Sequence, residues 1–231
     1  MQLQFPLKLA LNRKPAFDNY FNERNRLAVD AMQGLTQDEA PGFLYLWGET
    51  GTGKSHLLMA LCELHAGESF YLPLAESESL SPEILKGLEQ FRLVCIDDID
   101  NICGEQSWEE SLFHLYNRIR EKNGYLVVSA TSAPRGVNLG LEDLKSRLMW
   151  GAVYQLQSLE DEEKAALLMQ LAAERGMQLH TDAAAYLIKR CARDTGYLVE
   201  SIEQLDRYSL ARQRKLTIPL LSEWLQHNQA L

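Results

Sequence analysis

Residues 43–55 read Phe-Leu-Tyr-Leu-Trp-Gly-Glu-Thr-Gly-Thr-Gly-Lys-Ser, and a helical stretch follows over residues 56–64. An apolar run, a glycine turn and a helix N-terminus in that order aim several backbone N–H groups and a positive dipole end at one anion. The turn is therefore read as a phosphate-cradling loop. Gly48 and Gly53 are expected to supply positive φ angles and close backbone approach, with Gly51 adding further freedom. Lys54 would sit against the β- and γ-phosphates of a nucleotide, and the Ser55 hydroxyl would ligate magnesium. Thr50, Thr52 and His56 complete the set of residues expected around the phosphates.

Outward from this loop, apolar β-rich runs alternate with helical patterns, the signature of an α/β fold with a parallel sheet covered by helices. Strands are predicted over 43–47, 69–72, 93–97, 126–130 and 153–156. A helix over about 108–120 places Trp108, Leu112, Leu115, Tyr116 and Ile119 on one face, read as core. After residue 156 the strands stop. Ser158 reads as an N-cap with Asp161 in the first turn, the helix ending near Gly176. Thr181 and Thr217 read as further caps, the second followed by Ile218 and Pro219. The expected organisation is a leader over 1–12, a nucleotide-binding α/β domain over 13–157 and a small all-helical domain over 158–231.

A second motif lies on the third predicted strand, Leu93-Val94-Cys95-Ile96-Asp97-Asp98. Its apolar run marks a central strand whose carboxylates emerge at the C-terminal end, where open α/β sheets bind ligands. Asp97 would hold the magnesium ion, directly or through water, and Asp98 would point toward an attacking water. Asp100 reads as a turn or cap residue.

The composition is that of a water-soluble globular chain: 231 residues, 46% hydrophobic and 24% charged. No apolar run approaches a membrane span, and no basic-then-apolar signal sequence opens the chain, so a cytoplasmic location with no membrane contact is expected. Cys62, Cys95, Cys103 and Cys191 show no C-x-x-C pairing and read as reduced, packed thiols. The net charge of −9 argues against a protein that chiefly grips the DNA backbone. Residues 36–110 alone hold fifteen acidic and three basic side chains, a local net of −12, which would repel phosphate.

The pairing of residues 48–55 with residues 93–98 and a helical C-terminal unit resembles an AAA+ nucleotide-binding module. More narrowly, Phe17-Asp18-Asn19-Tyr20, Lys54-Ser55-His56-Leu57-Leu58, Ile96-Asp97-Asp98-Ile99 and Leu144-Lys145-Ser146-Arg147-Leu148-Met149-Trp150-Gly151 resemble the DnaA family of replication initiators, nearly the whole chain from Pro15 onward being covered. The resemblance implies ADP or ATP with Mg2+ as cofactors, and Phe17, Asp18 and Tyr20 at the adenine. It implies Arg147 as an arginine finger, offered to the triphosphate of a neighbouring DnaA protein. The polar sensor after the fourth strand falls on Thr131, or on Ser129. The arginine that the helical domain of the family swings onto the nucleotide aligns near Gly196, with Arg190 or Arg193 as substitutes, which implies stable diphosphate binding and poor hydrolysis.

The match holds no counterpart of the family's DNA-reading helix-turn-helix domain, so the chain resembles the family's short regulatory homologues, which switch the initiator off. Gln2-Leu3-Gln4-Phe5-Pro6-Leu7 is similar to the sliding-clamp-binding peptide of those homologues: Pro6 biases Phe5 toward an extended backbone, Leu3, Phe5 and Leu7 fill apolar pockets and Gln2 supplies hydrogen bonds. Expected partners are DnaA and the DNA polymerase sliding clamp, with DNA contact indirect or weak and a homo-oligomer possible. The rival reading is a self-sufficient ATPase of the helicase-loader type acting on single-stranded DNA.

Overall fold

The computed structural model describes residues 14–21, 23–35, 42–75, 80–191 and 195–228. Five strands, β1 (Phe43–Trp47), β2 (Ser69–Pro73), β3 (Leu93–Asp97), β4 (Tyr125–Ala130) and β5 (Ala152–Gln155), form one sheet in the order β2-β3-β4-β1-β5. Every pairing is parallel. The three inner strands are buried along nearly their whole length and are largely apolar, because both their faces are covered. Edge strand β5 instead alternates half-buried and exposed positions. The predicted strands hold to within a residue at their ends. Leu156, expected in the last strand, lies just past it and donates its N–H to Trp47 O at 2.7 Å.

The period-two alternation of the strands divides the core into two layers. On one face Leu44, Leu46, Cys95 and Val127 meet Ala28 and Met32 of α1 (Arg26–Gln33) and Leu57, Leu58 and Leu61 of α2 (Lys54–Leu64). On the other, Tyr45, Val94, Ile96 and Val128 meet α3 (Gln106–Glu121) and α4 (Glu142–Leu148). The predicted face of α3, Trp108, Leu112, Leu115, Tyr116 and Ile119, is buried there. All four cysteines are free thiols.

The remaining helices, α5 (Asp161–Glu174), α6 (Thr181–Arg190), α7 (Thr195–Arg212) and α8 (Ile218–Asn228), enclose a core of their own that includes Leu168, Leu187, Ile202, Leu205 and Trp224. Two expected caps are displaced. Helix α5 is opened by Glu160 and Glu163 in a capping box, not by Ser158, whose carbonyl accepts from Arg24 Nη2 at 2.9 Å. Thr181 is the first helical residue of α6, preceded by His180 at the cap, and its hydroxyl faces Met169 Sδ at 3.8 Å. The C-terminus of α5 follows the sequence: Gly176 takes φ +72°, and the N–H groups of Gly176 and Met177 close on Ala173 and Ala172, each at 2.9 Å.

The helical region is tied to the sheet by a short polar strap. Arg24 pairs with Glu160 at 3.0 Å and with Glu163. Asn25, 2% exposed, exchanges two hydrogen bonds with the backbone of Gln157, at 2.8 and 3.0 Å, and also donates to Tyr20 Oη at 2.6 Å. Asn25→Ala removes both bonds to Gln157 and the one to Tyr20, so it is expected to cost about 2 kcal/mol. A lowered urea midpoint would register that loss, and an unchanged midpoint would show that the strap carries no stability.

Candidate nucleotide site and arginine face

The loop of residues 48–55 is held from both sides before any ligand is considered. Lys54, 6% exposed, donates Nζ to the carbonyls of Gly48 at 2.9 Å and Glu49 at 3.2 Å, and Thr52 Oγ1 donates to Glu49 O at 2.9 Å. Tyr20 reaches over from the N-terminal arm and donates Oη to Thr52 O at 2.9 Å. Burial pushes that phenol up to about 12, which keeps its proton in place. Positive φ occurs at Gly51 (+82°) and Gly53 (+88°), but not at Gly48 as expected. Space governs Gly48 instead: a β-carbon there would lie 2.6 Å from Leu156 O. At Gly53 a β-carbon would lie 2.5 Å from Tyr20 Cε2, so the ring sits directly on the loop.

The carboxylates lie at the C-terminal end of β3, as read from the sequence. Asp97 is buried and accepts from Tyr71 Oη at 2.7 Å and from Ser129 Oγ. Asp98 sits in the left-handed region at φ 57°, half-buried, and donates its N–H to Ser129 Oγ at 2.8 Å. Burial first, then the neighbouring Asp97, raises its carboxyl pKa, while Lys54 opposes the rise. Of the two sensor candidates, Ser129 touches the Asp97 carboxylate and the Asp98 backbone. Thr131 is exposed and donates its backbone N–H to Asp100 Oδ2 at 2.6 Å. Asp100 belongs to the single turn Ile99–Ile102, in keeping with the turn role expected of it.

A cavity of about 410 Å³ opens over the loop. Its floor runs from Thr50 to His56 with Asp98, one wall is Asn19, Tyr20 and Phe21, and the other is Leu159, Leu167, Thr195, Gly196 and Val199 of the helical region. Tyr20 thus lines the cavity, whereas Phe17 packs into the α1–α2 core and exposed Asp18 borders a second recess of about 190 Å³ beside His56, Arg175 and Glu203. Burial lowers the His56 pKa, which favours the neutral ring whose Nε2–H donates to Ala16 O at 3.0 Å. Gly196 brings no side chain to the wall. Arg190 is exposed and stacks over Tyr186 at 5.5 Å, and Arg193 lies outside the described residues. The donors fit a magnesium ion bound with nucleotide phosphates: a serine hydroxyl at the helix start, an oriented buried carboxylate and a second carboxylate at the cavity.

Arg147 lies on α4, at the opposite side of the sheet from α2. Its guanidinium stands over the Trp150 ring at 4.6 Å and the Tyr116 ring at 5.9 Å. Among the described residues it joins no ion pair, and Lys145 and Glu142 supply none. Trp150 is 67% exposed and Met149 41%, so Arg147 stands half-buried at an open edge. Gly151 anchors this edge, since a β-carbon there would meet Phe43 Cδ1 at 2.2 Å. The start of α4 is fixed by a residue the sequence did not single out. Glu109, 2% exposed, accepts from the N–H groups of Gly104 at 2.7 Å, Gly140 at 3.1 Å and Leu141 at 2.7 Å. Only its place on the apolar side of α3, where a carboxylate must be bonded, signals that role.

The helical region from residue 161 to 225 matches the family model described as Hda, lid domain, and residues 76–155 match that of the bacterial DnaA ATPase domain. An uncharacterized protein of Haemophilus influenzae is 38% identical over 229 residues, 97% of this chain and 99% of that protein. This chain belongs to the Hda-type, DnaA-homologous AAA+ proteins. The AAA+ fold is shared with domain III of Thermotoga maritima DnaA, at TM-score 0.75 and 18% identity over 93% of this chain and 98% of that one. DnaA solved with AMPPCP and single-stranded DNA superimposes at TM-score 0.67 and 19% identity, over 88% of this chain and 69% of that one. The Thermotoga maritima branch-migration motor RuvB gives TM-score 0.71 at 14% identity, over 93% and 72%. The Hda-type chain thus carries a parallel AAA+ sheet with a helical lid, and no helix among its described residues is long and apolar enough to cross a membrane.

Proposed function

We propose that this chain is a nucleotide-dependent regulator that stimulates ATP hydrolysis by DnaA and so represses re-initiation of chromosome replication. The observation that carries the reading is Arg147: a guanidinium at an open edge, stacked on an exposed tryptophan and joined to no carboxylate among the described residues. Such a cation is available to charge that develops on another molecule's phosphates. The chain's own cavity takes ADP or ATP with Mg2+. Solved DnaA structures carrying AMPPCP support nucleotide binding. In this reading Lys54 and the loop N–H groups hold the phosphates, Tyr20 borders the base, Ser55 and Asp97 hold the ion, and Asp98 with Ser129 or Thr131 faces the terminal phosphate.

With Gly196 contributing no cation, the chain's nucleotide shapes it more than it feeds catalysis. The division at residue 157 gives a base that presents Arg147 and a lid that closes on the cofactor. Gln2, Leu3, Phe5, Pro6 and Leu7, the proposed sliding-clamp peptide, lie outside the described residues. Docking on the clamp would hold the chain at the nucleoid in the cytoplasm. The deciding experiment follows phosphate release from ATP-loaded DnaA mixed with this chain and DNA-loaded clamp. Release that needs all three supports the reading. Brisk turnover by this chain alone on single-stranded DNA would instead support the helicase-loader alternative.

A further inference from the structure

The arm that precedes α1 is bonded to the phosphate loop at one end and to the lid side of the sheet at the other. Tyr20 Oη donates to the Thr52 carbonyl at 2.9 Å and accepts from Asn25 Nδ2 at 2.6 Å. A phenol has one proton, so that proton lies on the Thr52 bond, and Asn25 holds the oxygen from behind. Asn25 is itself locked, donating to the Gln157 carbonyl at 3.0 Å and accepting from the Gln157 N–H at 2.8 Å. The hydroxyl therefore has a fixed place and a fixed direction. Its ring lies against the loop, where a β-carbon on Gly53 would come within 2.5 Å of Tyr20 Cε2.

The consequence falls on one peptide of the cradle. Thr52 C=O and Gly53 N–H belong to the same planar unit, which is trans, as no cis bond occurs among the described residues. In such a unit the carbonyl and the N–H point in opposite directions. Holding the carbonyl on Tyr20 thus turns the Gly53 N–H away from the arm. Rotation of this peptide turns on ψ of Thr52 and φ of Gly53, and glycine leaves the second of these free unless something outside sets it. Gly53 lines the cavity immediately before Lys54 and the start of α2, with φ +88°.

We propose that the Tyr20 hydroxyl is a positioning residue for phosphate: it holds the Thr52–Gly53 peptide with the Gly53 N–H presented to the nucleotide phosphates before the nucleotide arrives. The assignment rests on the nucleotide reading above and deepens it. Tyr20 gains a role separate from bordering the base, because it lines the cavity while its hydroxyl is bonded to the loop backbone. The same hydroxyl joins the lid side to the phosphate site, since Asn25 reaches it from Gln157.

Tyr20→Phe keeps the ring and removes the hydroxyl. Isotope labelling of threonine carbonyls and glycine nitrogens confines the magnetic resonance spectrum to Thr-Gly peptides, of which the chain has three: Thr50-Gly51, Thr52-Gly53 and Thr195-Gly196. In the ligand-free full chain the substitution is expected to displace the Thr52-Gly53 signal and to leave Thr195-Gly196 in place. ADP affinity, measured by titration calorimetry, is expected to fall about tenfold, the scale of one hydrogen bond to a charged group. Both changes together support the assignment. An unchanged ADP affinity overturns it. Weaker binding with the Thr52-Gly53 signal unmoved also overturns it, and would put the effect of the hydroxyl at the base. Displacement of Thr195-Gly196 as well would show a general loss of structure and would overturn it too. A wild-type chain that binds no ADP overturns the nucleotide reading and the assignment together.

Discussion

Arg147→Ala is expected to lower the stimulated hydrolysis of ATP on DnaA by about a thousandfold, the scale on which an arginine supplied in trans acts. The chain's own ADP affinity and melting temperature should stay near wild type. The separation follows from geometry, because the guanidinium rests on Trp150 and Tyr116 and no carboxylate among the described residues depends on it. Stacking at a partly exposed site is worth about 0.5–1 kcal/mol, too little to endanger the fold. Arg147→Lys should recover little of the loss, since an ammonium cannot reproduce a planar fork. Stimulation retained by the alanine variant would remove Arg147 from the mechanism.

The second large effect belongs to the chain's own cofactor. Lys54→Ala should weaken ADP binding by about 100-fold, the equivalent of one or two charge-assisted hydrogen bonds. Equilibrium titration with a fluorescent ADP analogue would measure it. Lys54 is almost wholly buried against the carbonyls of Gly48 and Glu49, so the ammonium is pre-positioned under the cavity floor. If the nucleotide shapes the chain, stimulation of DnaA should fall with this variant and return at high ADP. Full stimulation without bound nucleotide would separate the two sites.

The sheet was legible because each strand is a β-rich, largely apolar run, and β1 and β3 also end on the glycine and the aspartates of the two motifs. Buried helix α3 was equally plain, since five apolar residues at helical spacing leave one solution. The caps were harder. Ser158 had the more usual chemistry, but Glu160 and Glu163 close the helix start reciprocally and bring Arg24 with them, a partner more than 130 positions away. Asn25 and Tyr71 were invisible for the same reason. Each is a polar group whose bonds run to distant chain, and one-dimensional periodicity carries no signal for that. Ser129 and Thr131 could not be ranked from spacing, because two positions apart they share one face, and only the register of β4 against β3 shows which of them is level with Asp97. Phe17 illustrates the reverse case, an aromatic in a family segment that the fold uses as core.

The chain has four tryptophans, of which Trp108 and Trp224 are buried, at 3% exposure each, while Trp150 is 67% exposed beneath the Arg147 guanidinium. Indole emission shifts to shorter wavelength and resists aqueous quenchers when water is driven off the ring. The face offered to a partner therefore carries an intrinsic optical reporter, one that would register docking in an unlabelled protein before any phosphate is released.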